Sequence, residues 1–350
     1  MKFDLSEDQA LLRQSTRELL TNEYPFERSR EVMEKDPRGY DAHEWERLAE
    51  MGYLGLLLPA RVGGQGLGTV ELAIVLEEAG RAGMPGPYLD AVLAGALLEA
   101  AGGQDALLAE LCAGKQLVTI ARADGPFAGT PGSPTRYAGE RLRGTKYFVP
   151  FGAQADALIV ATPDGVFLAT SPFAVVPMPT FDLAQRFAAV TFDHAAARLG
   201  AAALLERIDQ LAAVGAAALL LGIMTNCLER TLEYVQTRQA FKRPIGSFQA
   251  LQHRLADMLL KTESTRSAVY RAAWCHAARD ADAALACAAA KAYAGDAARL
   301  VCGESIQMHG GIGFTWELDL HFYFKRAKTL EQHYGSTEAQ LERALAAAGW

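Results

Sequence analysis

The chain has 350 residues, 50% of them hydrophobic, a formal net charge of -7 and a sequence pI of about 5.6. That length can bury ample core and suits two or three domains. Lysines and arginines are scattered rather than clustered, so the acidic balance speaks against nucleic acid or an anionic membrane as partner and leaves small-molecule chemistry.

The opening Met1-Lys-Phe-Asp-Leu-Ser-Glu-Asp8 lacks a signal-peptide core, and no window holds about 18 apolar residues free of charge, which reads as a cytoplasmic protein. From Ser6 to Ala113 apolar residues recur at helical spacing, broken by glycine and proline at 59–68 and 83–87, which predicts a helical domain over residues 1–114. The texture then changes to short β-rich runs: Leu117–Ile120, Lys146–Val149, Ala157–Thr162, Val166–Ala169 and Ala188–Phe192, separated by Gly, Pro and Asp. These predict a small antiparallel sheet domain over residues 115–200. From Ala201 the helical period returns in alanine-rich tracts near 202–240, 249–279, 282–308 and 318–347, long enough for a four-helix bundle over residues 201–350. The fold class is therefore α+β, in the order α, β, α. Five cysteines lie far apart, four of them in helical patterns, and read as buried thiols in a reducing compartment. No zinc spacing appears, and no metal site is expected.

Two stretches carry the chemistry: Arg238-Gln-Ala-Phe-Lys-Arg-Pro-Ile-Gly-Ser-Phe-Gln249 and Gln307-Met-His-Gly-Gly-Ile-Gly313. Each sits where a long helical tract ends in a polar, glycine-bearing corner, offering unpaired backbone groups and an arginine to an anionic ligand. A helix stop needs one glycine; here three fall within four residues. His309 beside them reads as a packing or capping residue. Helix rather than strand precedes the glycines, which excludes a Rossmann dinucleotide turn.

The order of domains and these corners resemble the acyl-CoA dehydrogenase family, flavoenzymes that desaturate acyl-CoA thioesters between Cα and Cβ. The resemblance spans nearly the whole chain, through Leu48–Pro59, Gly63-Gly-Gln-Gly66, Glu77-Glu-Ala-Gly80, Tyr234–Asp257 and Gln307–Lys328. It implies that Arg238, Phe241, Gln249, Gln307, Gly310 and Gly311 touch FAD, and that they reach the FAD of a neighbouring subunit. Ile245, Phe248, Ser336, Glu338 and, in the sheet domain, Phe148 join the FAD contacts implied by the resemblance.

Other family features are missing. A loop of the form Thr-Glu-Pro-Gly-Ala-Gly-Ser-Asp is replaced by Ala121-Arg-Ala-Asp-Gly-Pro-Phe-Ala-Gly-Thr-Pro-Gly132, and Pro150 stands where a threonine would bond the flavin. The usual catalytic glutamate falls at Tyr334, and the alternative position used by part of the family falls at Ala212, followed by Ala213 instead of arginine. Asp209 and Glu338 are acidic and close in sequence but displaced from the expected positions. A base is worth roughly 10²- to 10⁴-fold in such chemistry. An ordinary tyrosine, with a pKa of about 10, substitutes poorly. What the chain would lend to a neighbour's flavin is kept, and what it would use on its own flavin and substrate is eroded. The resemblance is therefore nearest to the short, base-less subunits of heteromeric bacterial acyl-CoA dehydrogenases, some of which act on steroid side chains. It implies FAD as cofactor, an acyl-CoA substrate, a homologous catalytic subunit or a second copy of this chain as partner, and an electron-transferring flavoprotein as acceptor. Two further readings stay open: a homotetramer whose base is Tyr334, and a non-enzymatic scaffold subunit.

Overall fold

The computed structural model describes residues 5–126 and 132–350. Six helices come first: α1 (Glu7–Glu23), α2 (Phe26–Lys35), α3 (Ala42–Glu50), α4 (Thr69–Ala82), α5 (Tyr88–Ala101) and α6 (Asp105–Cys112). Strands follow as β1 (Val118–Ala121), β2 (Arg136–Ala138), β3 (Arg141–Pro150), β4 (Ala157–Thr162), β5 (Gly165–Thr170), β6 (Ala174–Met178), β7 (Phe187–Ala195) and β8 (Ala197–Gly200). The chain returns to helix in α7 (Leu204–Thr237), makes a hairpin of β9 (Gln239–Ala240) and β10 (Arg243–Pro244), and continues as α8 (Gln249–Ala278), α9 (Ala283–His309), α10 (Leu320–Gln332) and α11 (Thr337–Ala347). The α, β, α order expected from periodicity is the observed one.

In space these elements form two compact units that do not follow chain order. The first holds Met1–Ser29, Thr69–Met84 and Gln210–Trp350; the second holds Arg30–Gly68 and Pro85–Asp209. In the first unit α1 opens with a capping box, in which Ser6 Oγ accepts from the Gln9 amide at 3.2 Å while Gln9 Oε1 accepts from the Ser6 amide at 3.0 Å. The motif Glu77-Glu-Ala-Gly80 puts α4 hard against α7. A Cβ added at Gly80 would lie 2.2 Å from the Leu219 carbonyl oxygen, and one at Gly222 would lie 1.9 Å from that of Glu77. The two helices therefore cross backbone to backbone. Beside the crossing, Arg17 grips Glu78 with two bonds of 2.8 and 2.7 Å.

The second unit is built on two four-stranded sheets, ordered β1-β4-β5-β8 and β2-β3-β7-β6. Their inner faces share one core in which Leu142, Val149, Leu158, Val160, Phe167 and Val190 are fully buried. Every ladder is antiparallel except β1 with β4, which is parallel. The expected all-antiparallel sheet is corrected here: β1 is buried at all four positions and its side chains do not alternate, so its sequence carries no sign of strand direction.

Two further differences concern the C-terminal helices. The tract expected near 318–347 is two helices, parted at His333–Ser336, so five helices rather than four follow the sheets. The apolar tract of α7 has a mean hydropathy of 2.0 over 18 residues, enough to cross a membrane by composition, although Thr225 and Asn226 interrupt its apolar run. Of that window 89% is buried within the protein, the behaviour of a core helix. All five cysteines are free and buried.

Candidate functional site

The first corner begins where α7 stops. The Arg238 amide donates to the Tyr234 carbonyl at 2.8 Å, closing the last turn, and the chain reverses through a hairpin pairing Ala240 with Arg243 and Gln239 with Pro244. The Ile245 amide, donating to the Arg238 carbonyl at 2.9 Å, completes the ladder. The two loop residues, Phe241 and Lys242, have φ of 52° and 64°. A two-residue hairpin loop with both central residues left-handed normally takes Asn-Gly. Two side-chain-bearing residues there store about 1 kcal/mol or more apiece. The strain presents Phe241 to solvent at 88% exposure, its ring edge-on to Phe248 at 6.0 Å. Gln249 opens α8 directly behind it.

The second corner ends α9. Its last residue, His309, is buried and donates through Nδ1 to the Ser305 carbonyl at 2.7 Å. Burial, with Arg230 nearby, holds its pKa below the ordinary value against that bond, which keeps the ring neutral. The ring stacks on Tyr234 at 4.2 Å, and the Tyr234 hydroxyl donates to the His309 carbonyl at 3.4 Å. That stack ties the two corners together at one end of the helices. Gly310 then adopts φ 64°, ψ -143°, a conformation essentially reserved for glycine. A Cβ added at Gly310 or Gly311 would meet nothing within 4 Å, whereas one at Gly313 would strike the Ile306 carbonyl at 2.4 Å. Among the described residues, nothing would meet a side chain placed at Gly311. Open space over two glycines, flanked by exposed Arg238, Phe241, Gln249 and Gln307, fits the close approach of a nucleotide.

The positions expected to carry the base lie elsewhere. Tyr334 sits in the link between α10 and α11 with φ 63°, its carbonyl accepting from Gln340 Nε2 at 2.7 Å. Ser336 is the N-cap of α11, accepting from the Ala339 amide at 3.3 Å, and Glu338 in the first turn has its carboxyl held below the usual range by its own amide and by Ser336. Thr337, between them, lies over Gly295 in the middle of α9, 14 residues before His309. At 1.5 Å per residue that is about 20 Å from the glycine corner. Within one chain Tyr334, Ser336 and Glu338 do not join the Arg238 and Gly310 set. Ala212, the alternative base position, is 3% exposed inside α7, and Asp209 is committed to an ion pair with Arg122. Neither expected position carries a carboxylate.

Lys291, unremarked in the sequence, holds the α10–α11 link. It is fully buried on α9 and donates to the Glu331 and Gly335 carbonyls, both at 3.2 Å. The only available signal was a lone lysine in an alanine run. Burial pulls its pKa down from 10.5 to about 8, partly offset by Glu331. With the folded value below the unfolded one, the stability it contributes is full above 10.5 and is lost as pH falls through about 8. Relative to Lys291→Met, wild type is expected to gain about 2.5 kcal/mol of unfolding free energy between neutral pH and about pH 10. Denaturant unfolding at both pH values checks this, and a difference independent of pH would mean the amine is solvated.

In the second unit Phe148 occupies a bulge of β3 at φ 49°, its amide donating to Met178 Sδ at 3.3 Å and its ring edge-on to Phe187 at 6.1 Å. Pro150 ends the strand, buried. The start of the eroded loop is fastened to β3: the Tyr147 amide donates to the Ala123 carbonyl at 2.8 Å, and Lys146, 1% exposed, donates to Asp124 Oδ1 at 2.7 Å and the Arg122 carbonyl at 2.8 Å. Burial lowers the Lys146 pKa and Asp124 opposes it. The rest of that loop, Phe127–Pro131, lies outside the described residues.

Residues 6–115 match the N-terminal domain of acyl-CoA dehydrogenases and residues 200–349 match their C-terminal domain. The chain belongs to the acyl-CoA dehydrogenase family, whose cofactor is FAD. It is 34% identical to the acyl-CoA dehydrogenase IpdE2 of Mycolicibacterium smegmatis over 97% of this chain and 98% of that protein. Among solved structures it is similar to a variant of the Tcur3481–Tcur3483 steroid ACAD, with a TM-score of 0.89, 29% identity and 98% of each chain covered. The ChsE4–ChsE5 complex from Mycobacterium tuberculosis is equally alike, at 0.89 and 28% identity over 100% of this chain and 99% of that one.

Proposed function

We propose that this chain is the base-less subunit of a heteromeric, FAD-dependent acyl-CoA dehydrogenase in the cytoplasm. Its Arg238 and Gly310 corner completes the flavin site of a homologous partner subunit, and the partner supplies the carboxylate. One observation carries the reading: both positions where the family keeps its glutamate hold other residues, Tyr334 and Ala212, while the nucleotide corner keeps its arginine, glutamine and open glycines. Of the structures it is similar to, ChsE4–ChsE5 is a complex and Tcur3481–Tcur3483 is a steroid ACAD. A bulky, steroid-derived acyl-CoA is accordingly the proposed substrate class, with an electron-transferring flavoprotein as acceptor.

FAD, when bound, takes the hydride that leaves the substrate Cβ. This chain's residues would do the holding: the Arg238 fork would take the pyrophosphate, Gln307 could both donate and accept, and the Gly310–Gly311 turn would let backbone approach the ligand. Expressed alone, the protein is expected to be flavin-poor and inactive. Coexpression with its glutamate-bearing homologue should yield a yellow complex that oxidises acyl-CoA in a dye-coupled assay, and Arg238→Ala in that complex should lower FAD retention. A yellow, active product of this gene alone that loses turnover on Tyr334→Phe would replace the reading by a homotetramer with a tyrosine base. Unchanged flavin, assembly and activity after Arg238→Ala would make the chain a scaffold.

A further inference from the structure

We infer that Arg243 and Lys242 are phosphate-binding residues of the same nucleotide site, joining Arg238 in a three-cation clamp; this rests on the reading of that corner as a flavin site. Residues paired across the hairpin share a face, so the register of Ala240 with Arg243, extended one pair from Gln239–Pro244, puts Arg238, Ala240, Arg243 and Ile245 on one side. Arg238 and Arg243 are then diagonal neighbours, about 7–8 Å apart at their backbones. The Arg243 guanidinium lies over the Phe248 ring at 4.1 Å from its centre. Stacking fixes the plane of the group and leaves its N–H edge free, the edge that forms paired bonds to phosphate oxygens. Among the described residues none of Arg238, Lys242 and Arg243 has a carboxylate partner, although the chain as a whole is acidic and most of its arginines are ion-paired. Lys242 is the second, independent sign. It holds φ 64° at the loop position where glycine is favoured, and among the described residues no side-chain hydrogen bond or ion pair of its own offsets the strain. A charge kept at a strained, solvent-facing tip beside two unpaired guanidiniums fits a polyanion arriving from outside the chain.

The test uses the flavin-containing complex, whether this chain assembles with a homologous subunit or with itself. The FAD dissociation constant is measured at low and high salt, alongside riboflavin binding and the melting temperature of the flavin-free complex. Arg243→Met, which keeps the hydrocarbon packing on Phe248, should raise the FAD dissociation constant about tenfold or more. Lys242→Gly should raise it too, while raising the melting temperature because the turn is relieved. Both should flatten the salt dependence and leave riboflavin, which has no phosphate, unaffected. If Arg238→Ala weakens FAD while Arg243→Met and Lys242→Gly do not, the clamp is overturned and the flavin corner stands. If all three leave FAD binding unchanged, the corner is not at the flavin and the proposed function falls with the clamp.

Discussion

Replacing Gly222 by alanine is expected to destabilise the first unit by about 3 kcal/mol, near the top of the usual range for overpacking. The added carbon would sit 1.9 Å from the Glu77 carbonyl oxygen and 2.5 Å from the Arg81 amide nitrogen. Both are backbone atoms inside α4, so no rotamer change relieves the clash and α4 must move off α7. Gly80 on the opposing helix makes the same demand through the Leu219 carbonyl at 2.2 Å. Separation would loosen a core in which Leu72, Ile74, Leu76 and Leu220 are almost wholly buried. Gly303 is the internal control: it lies inside α9, and its added carbon would find its nearest neighbour at 4.0 Å. Gly303→Ala should be neutral or stabilising by about 0.5–1 kcal/mol, since alanine is the better helix former. Urea unfolding of both variants checks the pair, and equal midpoints would show that the helices do not cross this closely.

The larger loss is expected at Glu77. Its side chain is 5% exposed and is met by three others: Oε1 by Arg266, and Oε2 by the Tyr270 hydroxyl at 2.6 Å and Arg13 at 3.5 Å. Burial and the neighbouring Glu77 carboxylate push the Tyr270 phenol above its ordinary pKa, so it remains a donor at any pH of interest. Glu77→Ala removes the acceptor shared by two guanidiniums and a hydroxyl and leaves a cavity, with Arg266 keeping only Glu263 and Thr225 and Arg13 only Tyr270, for about 3–5 kcal/mol. Glu77→Gln keeps volume and one acceptor and should cost less. A double-mutant cycle with Arg266→Met should give a coupling energy above about 1 kcal/mol. Loss of under about 1 kcal/mol in Glu77→Ala would mean that water already serves these groups.

Much of the architecture was legible because it rests on period. The run Ala157–Thr162 is a strand with the same limits in the structure, and the long alanine-rich tracts are helices. What escaped has local causes. Strand β6 contains Pro177, which argues against a strand except at an edge, and the edge of its sheet is where β6 lies. The hairpin of β9 and β10 gave no turn signal because Phe241 and Lys242 occupy positions that Asn and Gly would announce. The split of the last tract was hidden by Tyr334, a residue rarely left-handed, with only Gly335 to mark the break. Unit membership was invisible for another reason. That α4 shares a unit with α7 depends on glycines 142 positions apart, and no period within a window connects Gly80 to Gly222. At the site, the glycines and Arg238 stood out in the sequence, while Lys291 and the Lys146–Asp124 pair did not, since a buried cation looks like any other until its carbonyl and carboxylate partners are placed.

The turn between α10 and α11 is fastened by main-chain oxygens: those of Glu331 and Gly335 to Lys291, and that of Tyr334 to Gln340. None of these bonds depends on which side chain residue 334 bears. Holding the turn and doing chemistry at residue 334 are thereby separate demands: the bonds that fasten the backbone would persist under another side chain, provided that it tolerates a φ of 63°.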